Sequence, residues 1–194
     1  NFQLSDYVNT TQFGYYNIDY KSIIDFLKYG LFIKSSRTFI DDKLGISFGL
    51  RLDQDNFTKE NNIFENISPR IAISVMISED NRWKLNFASG RYFKIPTYTS
   101  LGYKNFNNIF LNKNSKYTRS DHLVGGVEFN WTRSSRLTLE AFYKKYSNYP
   151  VSVVDRVSLA NKGADFEVLG NEEITTIGKG KSYGLEFLYQ QKLK

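Results

Sequence analysis

The sequence predicts an all-β chain: an antiparallel, up-and-down transmembrane β-barrel segment, about seven strands of a larger barrel. Three observations carry that expectation. Strand-length segments alternate between apolar residues and small or charged ones. The connections between segments alternate short and long. Aromatic side chains sit on the apolar face near both ends of the segments.

The alternation is plainest from Ile67 to Pro96. Ile71, Ile73, Val75 and Ile77 fall on one side, with Arg70, Ala72, Ser74 and Met76 on the other. After a polar turn at 78–82, Trp83, Leu85 and Phe87 oppose Lys84, Asn86, Ala88 and Gly90. Period two on both sides of a short polar turn predicts a hairpin.

In chain order, residues 1–25 show no sustained period and read as a loop or extended lead-in; residues 26–194 hold the strands. Leu27, Tyr29, Leu31 and Ile33 alternate against Lys28, Gly30, Phe32 and Lys34, and the strand runs less cleanly to Ile40. Asp41 and Asp42 turn the chain. Leu44, Ile46, Phe48, Leu50 and Leu52 then oppose Gly45, Ser47, Gly49, Arg51 and Asp53. A long polar loop, 54–66, leads to the Ile67 hairpin, and a second, 94–120, follows it. Leu123, Gly125, Val127, Phe129 and Trp131 next oppose His122, Val124, Gly126, Glu128 and Asn130. A short turn at 132–135 precedes Leu137, Leu139, Ala141 and Tyr143, set against Arg136, Thr138, Glu140, Phe142 and Lys144. The third long loop, 148–181, ends at a strand placing Tyr183, Leu185, Phe187 and Tyr189 opposite Ser182, Gly184, Glu186 and Leu188.

Composition narrows the function classes. The chain has 194 residues, 16% aromatic, with 14 Tyr and 16 Phe, a β-rich inventory. No apolar run approaches 18 residues, which excludes a transmembrane helix but not a barrel, whose strands are only half apolar. The net charge of +6 is interleaved with acid rather than massed, so nucleic acid is not an expected partner. There is no cysteine, hence no disulfide framework or thiolate metal site. No signal peptide precedes Asn1, which fits a piece of a longer exported chain as well as a cytoplasmic protein.

Alternation alone does not separate lipid from a protein core, since a soluble antiparallel sheet also has one wet face. The loop order does: short connections at one end and long ones at the other are the outer-membrane arrangement. Trp83 and Trp131 sit at short-turn ends on the apolar face, and Tyr143 and Tyr183 lie toward the long-loop ends, as aromatic girdles do. The other face carries Lys28, Arg51, Asp53, Arg70, Lys84, Glu128, Glu140 and Glu186, tolerable in a watery lumen and costly in a sandwich core.

Four segments carry a family resemblance. Ser68-Pro69-Arg70, Gly90-Arg91-Tyr92-Phe93-Lys94-Ile95-Pro96, Gly126-Val127-Glu128-Phe129 and Lys181-Ser182-Tyr183-Gly184-Leu185-Glu186 resemble, in order and spacing, strand segments of TonB-dependent receptors. The family's proline- and glutamate-containing region before the next strand departs here, reading NKNSKYTR from Asn112 to Arg119. The resemblance implies a bacterial outer-membrane receptor that imports a scarce nutrient, such as an iron chelate, cobalamin or an oligosaccharide, and breaks no bond. It implies outer-membrane lipid, the remaining strands, a plug domain and the TonB complex as partners, the last through a region N-terminal to this chain. A surface lipoprotein is a further possible partner, and no cofactor is implied. A passive porin or adhesin-type barrel and a soluble β-sandwich binding module are the alternatives.

Candidate ligand-binding residues on the loops are Tyr98, Tyr103, Tyr117, Arg119 and Tyr149. Arg91 suits a plug or lumen network by motif, although parity puts it on the outward face near the rim. His122 is the single histidine, too little for a triad or a His-based metal site, and reads as a lumenal strand-end residue. Gly178-Lys179-Gly180-Lys181-Ser182 lacks the first glycine and strand–helix context of a phosphate loop and reads as a basic loop end. Glu172-Glu173 reads as a solvated pair. No catalytic or metal-ligating set is expected.

Overall fold

A computed structural model describes residues 2–3, 7–11, 14–18, 22–58, 63–132, 134–162 and 170–192. Seven strands form one antiparallel sheet: β1 (Lys28–Phe39), β2 (Leu44–Asp55), β3 (Ile67–Met76), β4 (Trp83–Lys94), β5 (Thr118–Thr132), β6 (Ser135–Ser152) and β7 (Ile174–Gln191). Each strand pairs with its neighbours in sequence, so the sheet is a meander with β1 and β7 at its edges.

Register carries each face across the whole sheet. Leu44 pairs with Val75, Val75 with Leu85, Leu85 with Val127, Val127 with Leu139 and Leu139 with Phe187. One residue along, the opposite face reads Gly45, Ser74, Asn86, Gly126, Glu140 and Glu186. On β5 the apolar positions run from Leu123 to Trp131, about 26 Å of strand at 3.3 Å per residue before tilt, enough for the apolar band of a barrel wall.

No second layer covers the apolar face among the described residues. Leu31, Leu85, Leu185 and Phe187 are all exposed, Leu185 at 77%. The other sheets are two-stranded and N-terminal, so a sandwich packing has no counterpart among the described residues. The buried apolar cluster lies instead at the long-loop end, where Ile24, Phe57, Ile95, Leu101 and Tyr117 pack with Phe26, Phe93 and Phe110. A sheet with no core of its own and a continuous apolar face is built for an apolar solvent.

The turns opposite the long loops are tight for identifiable reasons. Ile40, Asp41 and Asp42 take positive φ of 56°, 50° and 63°, and the Lys43 N–H donates to the Ile40 carbonyl at 3.0 Å. Aspartate tolerates that region; the β-branched Ile40 does not, and holds strain there. At 77–82 the Ser78 hydroxyl accepts from the N–H groups of Arg82 and Trp83, each at 3.0 Å, while Asn81 takes the left-handed residue. Trp83 stacks on Phe129 with centroids 4.4 Å apart, and Phe129 meets Trp131 edge-on, so the aromatic girdle at this end is contiguous.

Several elements differ from the sequence reading. The lead-in is extended but not single: Phe2–Gln3 pairs with Ile23–Ile24, and Tyr7–Thr11 pairs with Gly14–Ile18. β5 starts at Thr118, β6 reaches Ser152 and β7 starts at Ile174, so the connections shorten to 56–66, 95–117 and 153–173. The 132–135 turn tightens likewise, since Thr132 and Ser135 pair across it. Gly178 to Ser182 therefore lies inside β7, not at a loop end. The strands continue past the girdle into water, where backbone pairing persists but neither face needs to be apolar, and so the period-two signal disappears.

In a lipid-embedded barrel, Phe87→Arg on the apolar face is expected to cost about 2–4 kcal/mol, while Asn86→Arg next to it costs little. Equilibrium refolding of the full receptor into vesicles reads the difference; equal costs would contradict the assignment of faces.

Candidate functional site

Two surfaces bear on function: the polar face of the sheet and the loop assembly above it. On the polar face one row crosses all seven strands as Lys34, Gly49, Arg70, Gly90, His122, Lys144 and Ser182. Arg70 lies over the Tyr92 ring at 4.4 Å, and Tyr92 stacks on His122 with centroids 4.5 Å apart. The Ser120 hydroxyl bonds the His122 Nε2 at 2.6 Å. Arg51 donates from Nε and Nη2 to Asp53 at 2.6 and 2.8 Å. Toward the tight turns the same face becomes mixed in charge, with Glu128, Glu140 and Glu186 beside Lys84, opposite Glu128 in register, and Arg136, 3.4 Å from Glu128. The wall is thus cationic and aromatic near the loops and of mixed charge near the turns.

The loops are fastened by a few side chains. Asp55 at the end of β2 is buried; its carboxylate accepts from the N–H groups of Phe57 and Thr58, the Thr58 hydroxyl and the Tyr117 hydroxyl, at 2.6 to 2.8 Å. Asn112 is the second fastener. Its amide donates to the carbonyls of Ser100 and Glu172 at 2.7 and 2.8 Å and accepts from the Ile174 N–H at 2.9 Å. It thereby ties the 95–117 connection, with its short helix α1 (Tyr98–Leu101), to the start of β7. Ser22 adds a bond to the Gly102 carbonyl at 2.6 Å.

Beyond β6, Lys162 bridges Asp155 and Glu172, each at 2.7 Å, and Ser152 bonds Glu172. The hydrogen bond from Lys162 is the chief reason the Asp155 carboxyl sits below the ordinary carboxylate range. Burial pulls the Lys162 ammonium down, and its bonds to Asp155 and Glu172 outweigh that and raise it. The Glu172-Glu173 pair is thus half engaged, and no cluster of three or more metal-ligating side chains occurs among the described residues.

The loop candidates separate on this geometry. Tyr117 is 1% exposed and holds Asp55, so it is a scaffold residue with no face left for a ligand. Arg119 is not in a loop: it lies in β5 on the outward face, bonded to Asp121 at 2.6 Å. Tyr98 is exposed on α1 and packs edge-on against Phe26. Tyr103 follows α1, half-buried, and Tyr149 sits opposite Gly178 after a register shift in β6. Asn148, next to Tyr149, donates to the Tyr117 carbonyl at 3.4 Å, so those two stretches meet. Phe106 and Ile109, exposed at a loop tip shaped by the Asn105 side-chain Oδ1 accepting from the N–H groups of Asn107 and Ile109, had no periodic signal to mark them.

The model of the family described as TonB dependent receptor-like, beta-barrel, matches residues 1–193. The chain belongs to this TonB-dependent receptor family. Membership places it in the bacterial outer membrane, in a receptor family rather than an enzyme class. No curated protein matches it by sequence. Among solved structures it is similar to the siderophore receptor PirA from Pseudomonas aeruginosa, with TM-score 0.60 and 19% identity over 84% of this chain and 30% of that one. The ferric enterobactin receptor PfeA of the same organism, solved with enterobactin, gives 0.61 and 18% over 88% and 25%. The outer membrane transporter YddB from Escherichia coli gives 0.59 and 13% over 91% and 22%. At these identities the likeness is one of fold, and the chain spans less than a third of each receptor's length.

The receptor segments now have physical roles. Pro69 pairs with Leu50 on β2, and the β3–β4 ladder begins only at Arg70 opposite Gly90, so the missing N–H falls where pairing with β4 has ended. A Cβ on Gly90 would stand 3.1 Å from the Tyr92 ring and 3.2 Å from Arg70, so glycine lets that stack lie flat on the wall. Asn112 and Tyr117, the loop fasteners, both fall in the stretch that departs from the family pattern.

Asn112→Ala orphans the Ile174 N–H and two carbonyls and is expected to cost about 1–3 kcal/mol, read as faster proteolysis of 95–117. For the Asp155 clasp, a carboxyl held below its ordinary pKa stabilises above the ordinary value and loses that effect as pH falls through the lowered one. Lys162→Met should therefore speed proteolysis of 153–173 at neutral pH, with the wild type converging on it in acid.

Proposed function

We propose that this chain forms wall and loops of an active outer-membrane importer for a scarce nutrient, driven by the TonB complex through parts of the receptor outside these residues. The reading rests on family membership and on the division of the sheet into one lipid-compatible face and one charged face. The remaining strands close the edges of β1 and β7, which lipid would otherwise leave unpaired. The plug fills the lumen against the polar face, and a surface lipoprotein is a further partner over the loops. The cationic, aromatic row through Arg70, His122 and Lys144 favours an anionic cargo on its way past the wall. Tyr98 and Tyr103 in the loops and Tyr149 at the loop end of β6 remain the residues proposed to touch it, joined by Phe106.

In cells whose growth under nutrient limitation depends on the full receptor, deletion of TonB or addition of a protonophore should abolish receptor-dependent uptake while receptor abundance stays constant. Uptake that continues undiminished would identify a passive channel instead.

A further inference from the structure

The outward face changes character abruptly at one level. Immediately beyond the row Ser89, Leu123, Tyr143 and Tyr183, the next outward row on β4–β7 reads Arg91, Asp121, Lys145 and Lys181. One row further, Arg119 stands in register with Phe93 and Ser147. Asp121 accepts from Arg91 Nε at 2.7 Å and from Arg119 Nε and Nη2 at 2.8 and 2.6 Å, which fixes both guanidinium groups side by side and leaves each with unused donors. Lys145 and Lys181 are exposed and have no ion pair among the described residues. Four cations therefore stand against one carboxylate.

The patch is local. On β1–β3 the same row carries Ile33, Leu50 and Pro69, so the charge is not a belt around the wall. Nor is it part of the lumen, because parity and pairing put it on the face of Leu85, Val127 and Phe187. It sits just past Tyr143 and Tyr183, at the long-loop edge of the apolar band, which is the headgroup level of the outer leaflet. Neighbouring strands are about 4.8 Å apart, so the row from Arg91 to Lys181 spans roughly 14 Å, the width of a large headgroup rather than of one small ion.

We propose that Arg91, Arg119, Lys145 and Lys181 form a binding site for the phosphate groups of an outer-leaflet glycolipid whose acyl chains lie along the apolar face below. The guanidinium pair, held by Asp121, offers planar donor pairs to phosphate oxygens, and the two lysines supply mobile charge beside them. This assignment rests on the lipid-facing side of the sheet and is independent of what the receptor imports.

The test uses the full receptor, extracted from outer membranes, delipidated and titrated with lipopolysaccharide carrying lipid A phosphates, with the same lipid dephosphorylated, and with inorganic phosphate. Binding is read by native mass spectrometry and by tryptophan quenching with brominated acyl chains. Lys145→Gln and Lys181→Gln should each weaken binding of the phosphorylated lipid about fivefold, and together roughly 25-fold. Lys145→Arg with Lys181→Arg should restore it, and lumenal Lys144→Gln should leave it unchanged. Wild-type binding that ignores dephosphorylation, a double variant that binds as the wild type does, or an equal loss in Lys144→Gln would overturn the proposal. Saturation by millimolar inorganic phosphate alone would assign the site to a soluble anion and overturn the lipid source.

Discussion

A strand crossing lipid must satisfy every backbone N–H and C=O from its neighbours, because the hydrocarbon offers none. This constraint sets the rest of the molecule. It forces a continuous meander in which β1 to β7 pair only with their sequence neighbours. The two-residue side-chain period then hands alternate residues to two solvents. Leu85, Val127, Leu139 and Phe187 belong to one, and Asn86, Gly126, Glu140 and Glu186 to the other. Stability comes from the ladder and from lipid rather than from a packed interior, and the buried apolar cluster found among the described residues serves the loops.

The loops obey different physics. They stand in water, where no solvent face enforces a pattern, and they are held by buried hydrogen-bonding side chains. Asp55 and Asn112 each gather several partners from segments distant in sequence, so the loop assembly is a polar network around a small aromatic core. Such a network fixes geometry through satisfied donors and acceptors and rigidifies what it satisfies completely. The exposed residues Tyr98 and Phe106 belong to the connection that this network fastens.

This contrast explains what could be read from the sequence. The strands between the girdles were legible because lipid imposes period two on them: Leu44 to Leu52 and Trp83 to Phe87 alternate without exception. Beyond the girdles the signal ends while the strands do not, so Asn148 to Ser152 and Ile174 to Lys181 read as loop in the sequence. The Phe2–Gln3 and Tyr7–Thr11 pairings were equally silent, since short strands in water leave no periodic trace. Among the candidate residues, composition flagged tyrosines and arginines but not their partners. Tyr117 is scaffold because Asp55 lies beneath it, and Arg119 is a strand residue because β5 begins at Thr118, with the parity of Asp121 and Leu123 turning it outward. Arg91 stands on the outward face, as its parity implies, and with Asp121 opposite it the same alternation that marks lipid also marks where lipid ends.

The division into two solvents is open to direct measurement, and these 194 residues contribute no native cysteine to the labelling. Single cysteines placed in turn from Trp83 to Gly90 in the full receptor, labelled with a nitroxide and reconstituted in vesicles, report collision with oxygen and with a polar nickel chelate. The account predicts that oxygen accessibility peaks at Leu85 and Phe87 and nickel accessibility at the even positions, out of phase with period two. In-phase profiles, or oxygen maxima at Lys84, Asn86 and Ala88, would contradict it.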